Sequence, residues 1–182
     1  MKEGTILRSF DAKDEKKVTL RAPKWGDLDD FLFFINSLVE EGADILVNMK
    51  KTREEEINFI SRILSALEKD KMVSVVAEVD GKMVGHVEVT RRPGYSCHVG
   101  NLGISLIAAY RDTGIGQELM LEAETQAKRL GMEMIQLEVY ERNRRAIHVY
   151  EKTGYRIVGR VPGDIKRDGL SLDTLIMVKT LA

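Results

Sequence analysis

The chain has 182 residues, 43% apolar and 31% charged, with 28 basic against 29 acidic side chains and a formal net charge of -1. That composition suits one soluble globular domain over 1–182 whose core buries roughly 70% of the unfolded surface, and it excludes a disordered chain and a uniformly basic nucleic-acid binder. Cys97 is the single cysteine, which excludes an intrachain disulfide and a multi-thiolate zinc site, and the charged residues 1–17 lack an apolar signal core, so a reduced, cytosolic protein is expected. No apolar run reaches the roughly 18 residues that a membrane span requires.

A short strand is predicted over 5–8, a charged surface loop over 9–17 and a second strand over 18–21. An amphipathic helix follows over 25–40, because Leu28, Phe31, Leu32, Ile35, Leu38 and Val39 recur at helical spacing. A second helix starts at Thr52, with Glu55 three residues on in a capping-box pattern and Ile57, Ile60, Ile63, Leu64 and Leu67 forming its apolar stripe. The segment 42–50 between them fits no regular pattern. The period then changes. Residues 73–79 and 82–90 are rich in β-branched residues and are joined by Asp80-Gly81, a hairpin signal. A strand over 98–107, a helix over 114–130 stopped by Gly131, and a strand over 134–139 come next. A short helix over 143–152 is stopped by Gly154, and two strands over 155–160 and 172–179 flank a turn at Asp168-Gly169. Such an order gives an α/β fold built on a mixed sheet with helices on both faces.

Chemistry concentrates in residues 103–131. An apolar strand ends in a polar turn holding Gly114 and Gly116, and a helix starts at once. The backbone N–H groups of Thr113, Gly114, Ile115, Gly116 and Gln117 would be free at that helix start, where the dipole favours an anion, and phosphate is the natural occupant. Arg111 can add a charge-assisted contact. No Lys-Ser or Lys-Thr pair follows, which argues against a P-loop, and the third glycine of a dinucleotide fold is missing. Taken alone, the two glycines are better explained by packing at a helix start. A second stretch follows the strand at 134–139: Asn143 suits a helix N-cap, and Ala146, Ile147 and Tyr150 share one helical face before Gly154 permits the chain to reverse.

Arg111-Asp112-Thr113-Gly114-Ile115-Gly116 resembles the Q/R-x-x-G-x-G/A acyl-CoA motif of the GNAT N-acetyltransferase superfamily, and Asn143 through Ala146, Ile147, Tyr150, Gly154 and Tyr155 resembles the motif that follows it. The hairpin around Asp80-Gly81 and the closing stretch 168–179 also resemble family segments, so the similarity spans about residues 18–180. The resemblance implies a GNAT-like, mostly antiparallel central sheet of about six to seven strands. It further implies acetyl-CoA as co-substrate, with no metal, lying between the strands over 98–106 and 135–139. The diphosphate would sit on the amides of Arg111 to Gly116, with Asp112 and Gln117 beside it. The pantetheine arm would pair with the backbone of Ile104, Ser105 and Leu106, and contact Asn143 and Ala146.

The reaction implied is acyl transfer from the thioester to an amine: an amino acid, a polyamine, an aminoglycoside-like compound or a protein N-terminus. Leu106 N–H would serve the developing oxyanion, and Tyr150 matches the family's position for the acid that protonates the thiolate, although spacing alone favours core packing. The strand before the acyl-CoA motif carries no carboxylate, so the base stays open among His98, Asn101 through a water, Glu78 and Glu88, the last two reading as ordinary outward-facing strand residues. The partner expected is an amine acceptor, with neither nucleic acid nor membrane, and a homodimer stays open. The alternative function is a non-catalytic acyl-CoA-binding regulatory protein on the same fold.

Other features carry less. Cys97 and His98 point to opposite faces of a strand and form no dyad. His86, His98 and His148 have no metal-ligand spacing. Arg142, Arg144 and Arg145 read equally as a solvated helix start or an attraction for the cofactor's 3′-phosphate. Phe31, Phe33 and Phe34 exceed what one helix face needs; core packing is their favoured role, and the resemblance, which sets the first two helices beside the acceptor, implies that part of the set lines its pocket. The acidic stretch 40–44 reads equally as solvated surface or as attraction for a cation.

Overall fold

Eight strands form one sheet in the order β1-β2-β3-β4-β5-β6-β8-β7, in a computed structural model that describes residues 1–181. The strands are β1 (Ile6–Asp11), β2 (Lys17–Arg21), β3 (Met72–Val79), β4 (Lys82–Arg91), β5 (Val99–Leu106), β6 (Met134–Tyr140), β7 (Arg156–Arg167) and β8 (Leu170–Thr180). The helices are α1 (Leu28–Glu40), α2 (Arg53–Glu68), α3 (Ile115–Arg129) and α4 (Arg144–Lys152). Neighbouring strands run antiparallel except β5 and β6. The sheet is thus mixed and mostly antiparallel with helices on both faces, as expected, but it has eight strands rather than six to seven.

Local chemistry explains most boundaries. Asp80 and Gly81 take φ of 50° and 74°, and Asp168 and Gly169 take 52° and 77°, the left-handed pair that a two-residue hairpin turn requires. The Thr52 hydroxyl accepts from Glu55 N–H while the Glu55 carboxylate accepts from Thr52 N–H, so the capping box forms. Asn143 Oδ1 accepts from Ala146 N–H at 3.1 Å and starts α4.

The differences lie at β1, β7 and α1. The first strand continues to Asp11, so the loop expected over 9–17 shrinks to a tight connection. The seventh strand runs on to Arg167 because the pairing with β8 shifts register between Val161 and Ile165, absorbing Pro162 and Gly163. Residues 25–27 form a 3-10 turn ahead of α1 instead of its first turn.

Two apolar clusters flank the sheet. One joins α3 and α4 to one face through Leu119, Met120, Ala123, Ile147 and Tyr150 against Val75, Val87 and Leu137. The other joins α1 and α2 to the opposite face through Phe31, Phe34, Leu38 and Ile60 against Val76 and Met83. Arg21 on β2 ties α1 to the sheet: its Nη1 and Nη2 donate to the two Asp27 oxygens at 2.7 and 2.8 Å, and its Nε to Glu78 at 2.8 Å. Among the described residues, no helix is long and apolar enough to cross a membrane.

Candidate active site

The β5–β6 pair is the feature that makes a site. Its register runs Val99↔Met134 to Leu102↔Leu137 and stops, although β5 continues to Leu106 and β6 to Tyr140. Beyond Leu102 the two strands part while β5 stays paired with β4 as far as Leu106↔Gly85. One backbone edge of β5 therefore faces an opening. Ile107 N–H donates to Val84 C=O on the β4 side, so by strand alternation the N–H and C=O of Leu106 and Ile104 point the other way, into the opening. Leu106 C=O accepts from Arg111 Nε, and the remaining backbone groups at this edge can pair with an extended ligand as an added strand.

A cavity of about 1410 Å³ fills the parting and extends beneath α1 and α2. At its mouth the chain turns from β5 into α3. Asp112 and Gly114 take φ of 65° and 93°, so successive peptide N–H groups turn toward a common concavity before the first turn of α3. Gly116 leaves that concavity open: a Cβ there would meet only Leu106 Cδ1, at 3.4 Å. Such a cradle fits a diphosphate, and the free edge of β5 fits the amide-bearing arm of coenzyme A.

Most of the residues expected in the cofactor site line this cavity, namely Ile104, Ser105, Leu106, Arg111, Asp112, Gly114, Gly116, Gln117, Asn143 and Ala146. Thr113 and Ile115 do not. The Thr113 hydroxyl donates to Tyr110 C=O at 2.8 Å, and Ile115 is buried in the main core, so only their backbone amides belong to the cradle. The Arg111 side chain is engaged: Nε donates to Leu106 C=O at 3.0 Å, and the guanidinium pairs with Glu41. Arg145 pairs with Asp112 at 2.6 Å, Arg142 with Asp44, and Arg144 is exposed. Lys13, which no sequence signal marked, reaches the cradle because its N–H donates to Thr113 C=O at 3.0 Å.

The segment without a sequence pattern, 42–50, and the residues that flank it cross over the cavity. Tyr140 Oη donates to Ile45 C=O at 3.1 Å, and Arg167 donates to the carbonyls of Ala43 at 3.0 Å and Gly42 at 2.7 Å. Asn36 clamps the Lys51 backbone from both sides, at 3.0 and 2.7 Å. Within the acidic stretch Glu41 pairs with Arg111 and Asp44 with Arg142 and Arg167, while Glu40 stays exposed and pairs with Lys50.

Tyr150 lines the cavity from α4, is 8% exposed, and its hydroxyl makes no hydrogen bond within the described residues. Burial pushes its pKa up to about 12, so it stays protonated at neutral pH and can donate.

The four candidates for the base separate. His98 is exposed at the start of β5 and outside the cavity. Glu78 is outside it too and is held by Arg21. Asn101 lines the cavity, with Oδ1 accepting from Arg92 at 2.9 Å. Glu88 corrects the expectation of an outward-facing residue: α1 and α2 cover its face of the sheet, and its Oε2 is buried with no hydrogen bond. Its Cγ lies 3.9 Å from where a Cβ on Gly103 would be, so it stands over the first β5 residue past the last β5–β6 pair. Burial raises the Glu88 pKa, and the positive charge of Arg62 partly offsets this.

Beside it, His86 shares 2.8 Å with Ser74 Oγ and packs edge-on against Phe31 and Phe59. Burial pushes its pKa down to about 3, so it is neutral at physiological pH. Glu56 of α2, 3% exposed and also raised by burial, lines the same end. Of the phenylalanine set, Phe31 and Phe34 are buried and line the cavity, whereas Phe33 faces out. Among the described residues, no group of three or more His, Cys, Asp or Glu side chains is placed to hold a metal ion.

Comparison with known proteins agrees with this geometry. A sequence model of the acetyltransferase (GNAT) family matches residues 36–155, more than half of the chain. The chain is 34% identical over 108 residues to the L-amino acid N-acetyltransferase AaaT of Escherichia coli strain K12, covering 58% of this chain and 66% of that relative, just under two thirds of its length. A GNAT-family acetyltransferase from Streptococcus pneumoniae superposes with a TM-score of 0.81 and 26% identity, over 90% of this chain and 99% of the other. A GNAT superfamily phosphinothricin acetyltransferase from Sinorhizobium meliloti in complex with acetyl-CoA shares the fold, with a TM-score of 0.79 and 20% identity over 90% of this chain and 88% of that one.

Proposed function

We propose a direct acyl transfer for this chain, which belongs to the GNAT acetyltransferase family: an acetyl group passes from acetyl-CoA to the primary amine of a small molecule bound beneath α1 and α2. The observation that carries this reading is the parting of β5 from β6 after Leu102, with a glycine-lined amide cradle at its mouth and Glu88 and Tyr150 on its walls.

Acetyl-CoA supplies the activated acyl group. The amides of residues 112–117 hold its diphosphate, and the free edge of β5 at Ile104 and Leu106 pairs with its pantetheine arm. An amine enters mostly as ammonium, since its pKa lies near 10, and must lose a proton before it can attack. Glu88 takes that proton, directly or through a water. Its raised pKa brings it closer to the operating pH and makes it a better base than a solvated carboxylate. Ile104 N–H points into the opening next to Gly103, over which Glu88 stands, and can donate to the acyl carbonyl oxygen as charge develops there, whereas Leu106 N–H, the donor the resemblance implied, lies beside the diphosphate cradle and serves the pantetheine arm. Tyr150 gives its hydroxyl proton to the departing thiolate and is restored, through water, by the second proton that the nitrogen sheds on becoming an amide, while the proton taken up at Glu88 returns to solvent. Neutral His86 acts by packing and orients no charge.

The name of the E. coli relative and the mixed apolar and charged acceptor end support a free amino acid as the acceptor. The test is thiol release from acetyl-CoA across a panel of amines. The reading expects release that depends on the amine and saturates with it. Coenzyme A binding with no turnover on any amine would instead establish the non-catalytic acyl-CoA-binding alternative.

A further inference from the structure

Arg62 projects from α2 into the acceptor end of the cavity. Its guanidinium carbon lies over the Phe59 ring, 5.1 Å from the centroid and one turn earlier on the helix, a cation–π contact. The other arginines that line the cavity are engaged: Arg111 by Glu41 and Leu106 C=O, Arg145 by Asp112. Arg62 makes no hydrogen bond within the described residues. Its side chain is 53% exposed, and among the described residues its one ion-pair contact is with Glu88, with Nη2 and Oε2 4.0 Å apart, beyond hydrogen-bonding distance.

Glu88 Oε2 is buried without a hydrogen bond as well. Arginine and carboxylate normally close into a short, often bidentate pair, and a buried carboxylate left open is costly. A cation and an anion held apart and aimed at one space form a template for a ligand that carries both charges. In an α-amino acid the N–Cα and Cα–C bonds set the ammonium nitrogen about 2.5 Å from the carboxyl carbon, a compact dipole. Placed antiparallel to the Glu88–Arg62 pair, it gives each group the partner it lacks. A polyamine would bring a second cation to Arg62 and be disfavoured there.

We propose that Arg62 binds the α-carboxylate of a free amino acid whose α-amino group is held against Glu88, with Phe31, Phe34 and Phe59 taking the side chain. The assignment rests on the acyl-transfer reading above and adds to it the residue that selects for a carboxylate.

The experiment measures kcat and KM at saturating acetyl-CoA for the twenty free L-amino acids, for the carboxamide of the best of them, and for the amine lacking its carboxyl group, with wild type, Arg62→Gln and Arg62→Lys. Wild type should prefer the amino acid. Arg62→Gln should raise KM for the amino acid on the order of 10- to 100-fold, the size of a charge-assisted contact, and leave KM for the carboxamide and Kd for coenzyme A near wild type. Arg62→Lys should recover part of the loss. Arg62→Gln raising KM for the amino acid and its carboxamide in the same proportion, or neither, overturns the proposal, as does turnover of amines with no amino acid among them. If no amine releases thiol, the acyl-transfer reading falls and this assignment with it.

Discussion

Gly116 separates what the fold requires from what a ligand requires. It is the second residue of α3, outside the left-handed region, and a Cβ there meets only Leu106 Cδ1 at the edge of ordinary contact, 3.4 Å. The folded chain therefore tolerates a side chain. Gly116→Ala should stabilise the protein by about 0.4–1 kcal/mol through the unfolded state, which for a chain of this size raises Tm by about 1–4 °C. Gly114→Ala should do the opposite and cost about 1–2 kcal/mol, because φ at that position is 93°. Gly116→Trp sets an indole in the concavity that the amides of residues 112–117 surround. If the diphosphate loses even two charge-assisted hydrogen bonds, coenzyme A affinity falls on the order of 100- to 10,000-fold. Thermal melts without ligand and calorimetric titration with coenzyme A read the two effects separately. Wild-type affinity in Gly116→Trp, or a lowered Tm in Gly116→Ala, would refute the argument that this glycine serves the ligand.

Tyr150→Phe removes a hydroxyl that makes no hydrogen bond within the described residues, so melts should stay near wild type while kcat drops on the order of 100-fold or more and coenzyme A affinity holds; unchanged kcat would reduce Tyr150 to packing. Glu88 acts as the carboxylate, so kcat/KM should fall as pH drops through its raised pKa, above the ordinary 4.5; Glu88→Gln should lose about 100- to 10,000-fold and flatten that limb. The sign for stability is opposite. A carboxyl whose pKa rises on folding contributes most below its unfolded pKa and loses that contribution as pH rises through the folded value, so Glu88→Gln should melt higher than wild type at pH 7. Asp27→Ala removes the two-pronged partner of Arg21, whose side chain is 6% exposed and which keeps only Glu78 and the Ala22 carbonyl, and should cost about 1.5–3 kcal/mol in urea unfolding; a loss below about 1 kcal/mol would show that the pair is dispensable.

Turns and caps were legible in the sequence because they rest on single residues with local chemistry. Asp80-Gly81 and Asp168-Gly169 need positive φ, Thr52 with Glu55 closes a capping box, and Asn143 caps α4. The cradle was legible for the same reason: glycines at a strand-to-helix turn imply free amides wherever the chain lies. The sequence pattern ends β7 at 160, whereas an irregular register with β8 carries the strand past Pro162 and Gly163 to Arg167. Glu88 was misplaced because alternation tells which residues share a face and not which face is covered. Here both faces are covered, and the face carrying Glu88 lies under α1 and α2. The pairing of Arg62 with Glu88 depends on how α2 crosses β4, and the path of 41–52 on arginines far along the chain. Neither leaves a mark in local spacing.

The claim on which the rest stands is that main-chain amides between Asp112 and Gln117 grip the diphosphate of coenzyme A. An amide-resolved NMR titration of the wild-type chain tests it. The account predicts that coenzyme A shifts the N–H resonances of residues 112–117 most strongly, followed by those of Ile104 and Leu106, and that Gly116→Trp abolishes the shifts. Saturable coenzyme A binding that leaves the resonances of residues 112–117 in place would contradict it.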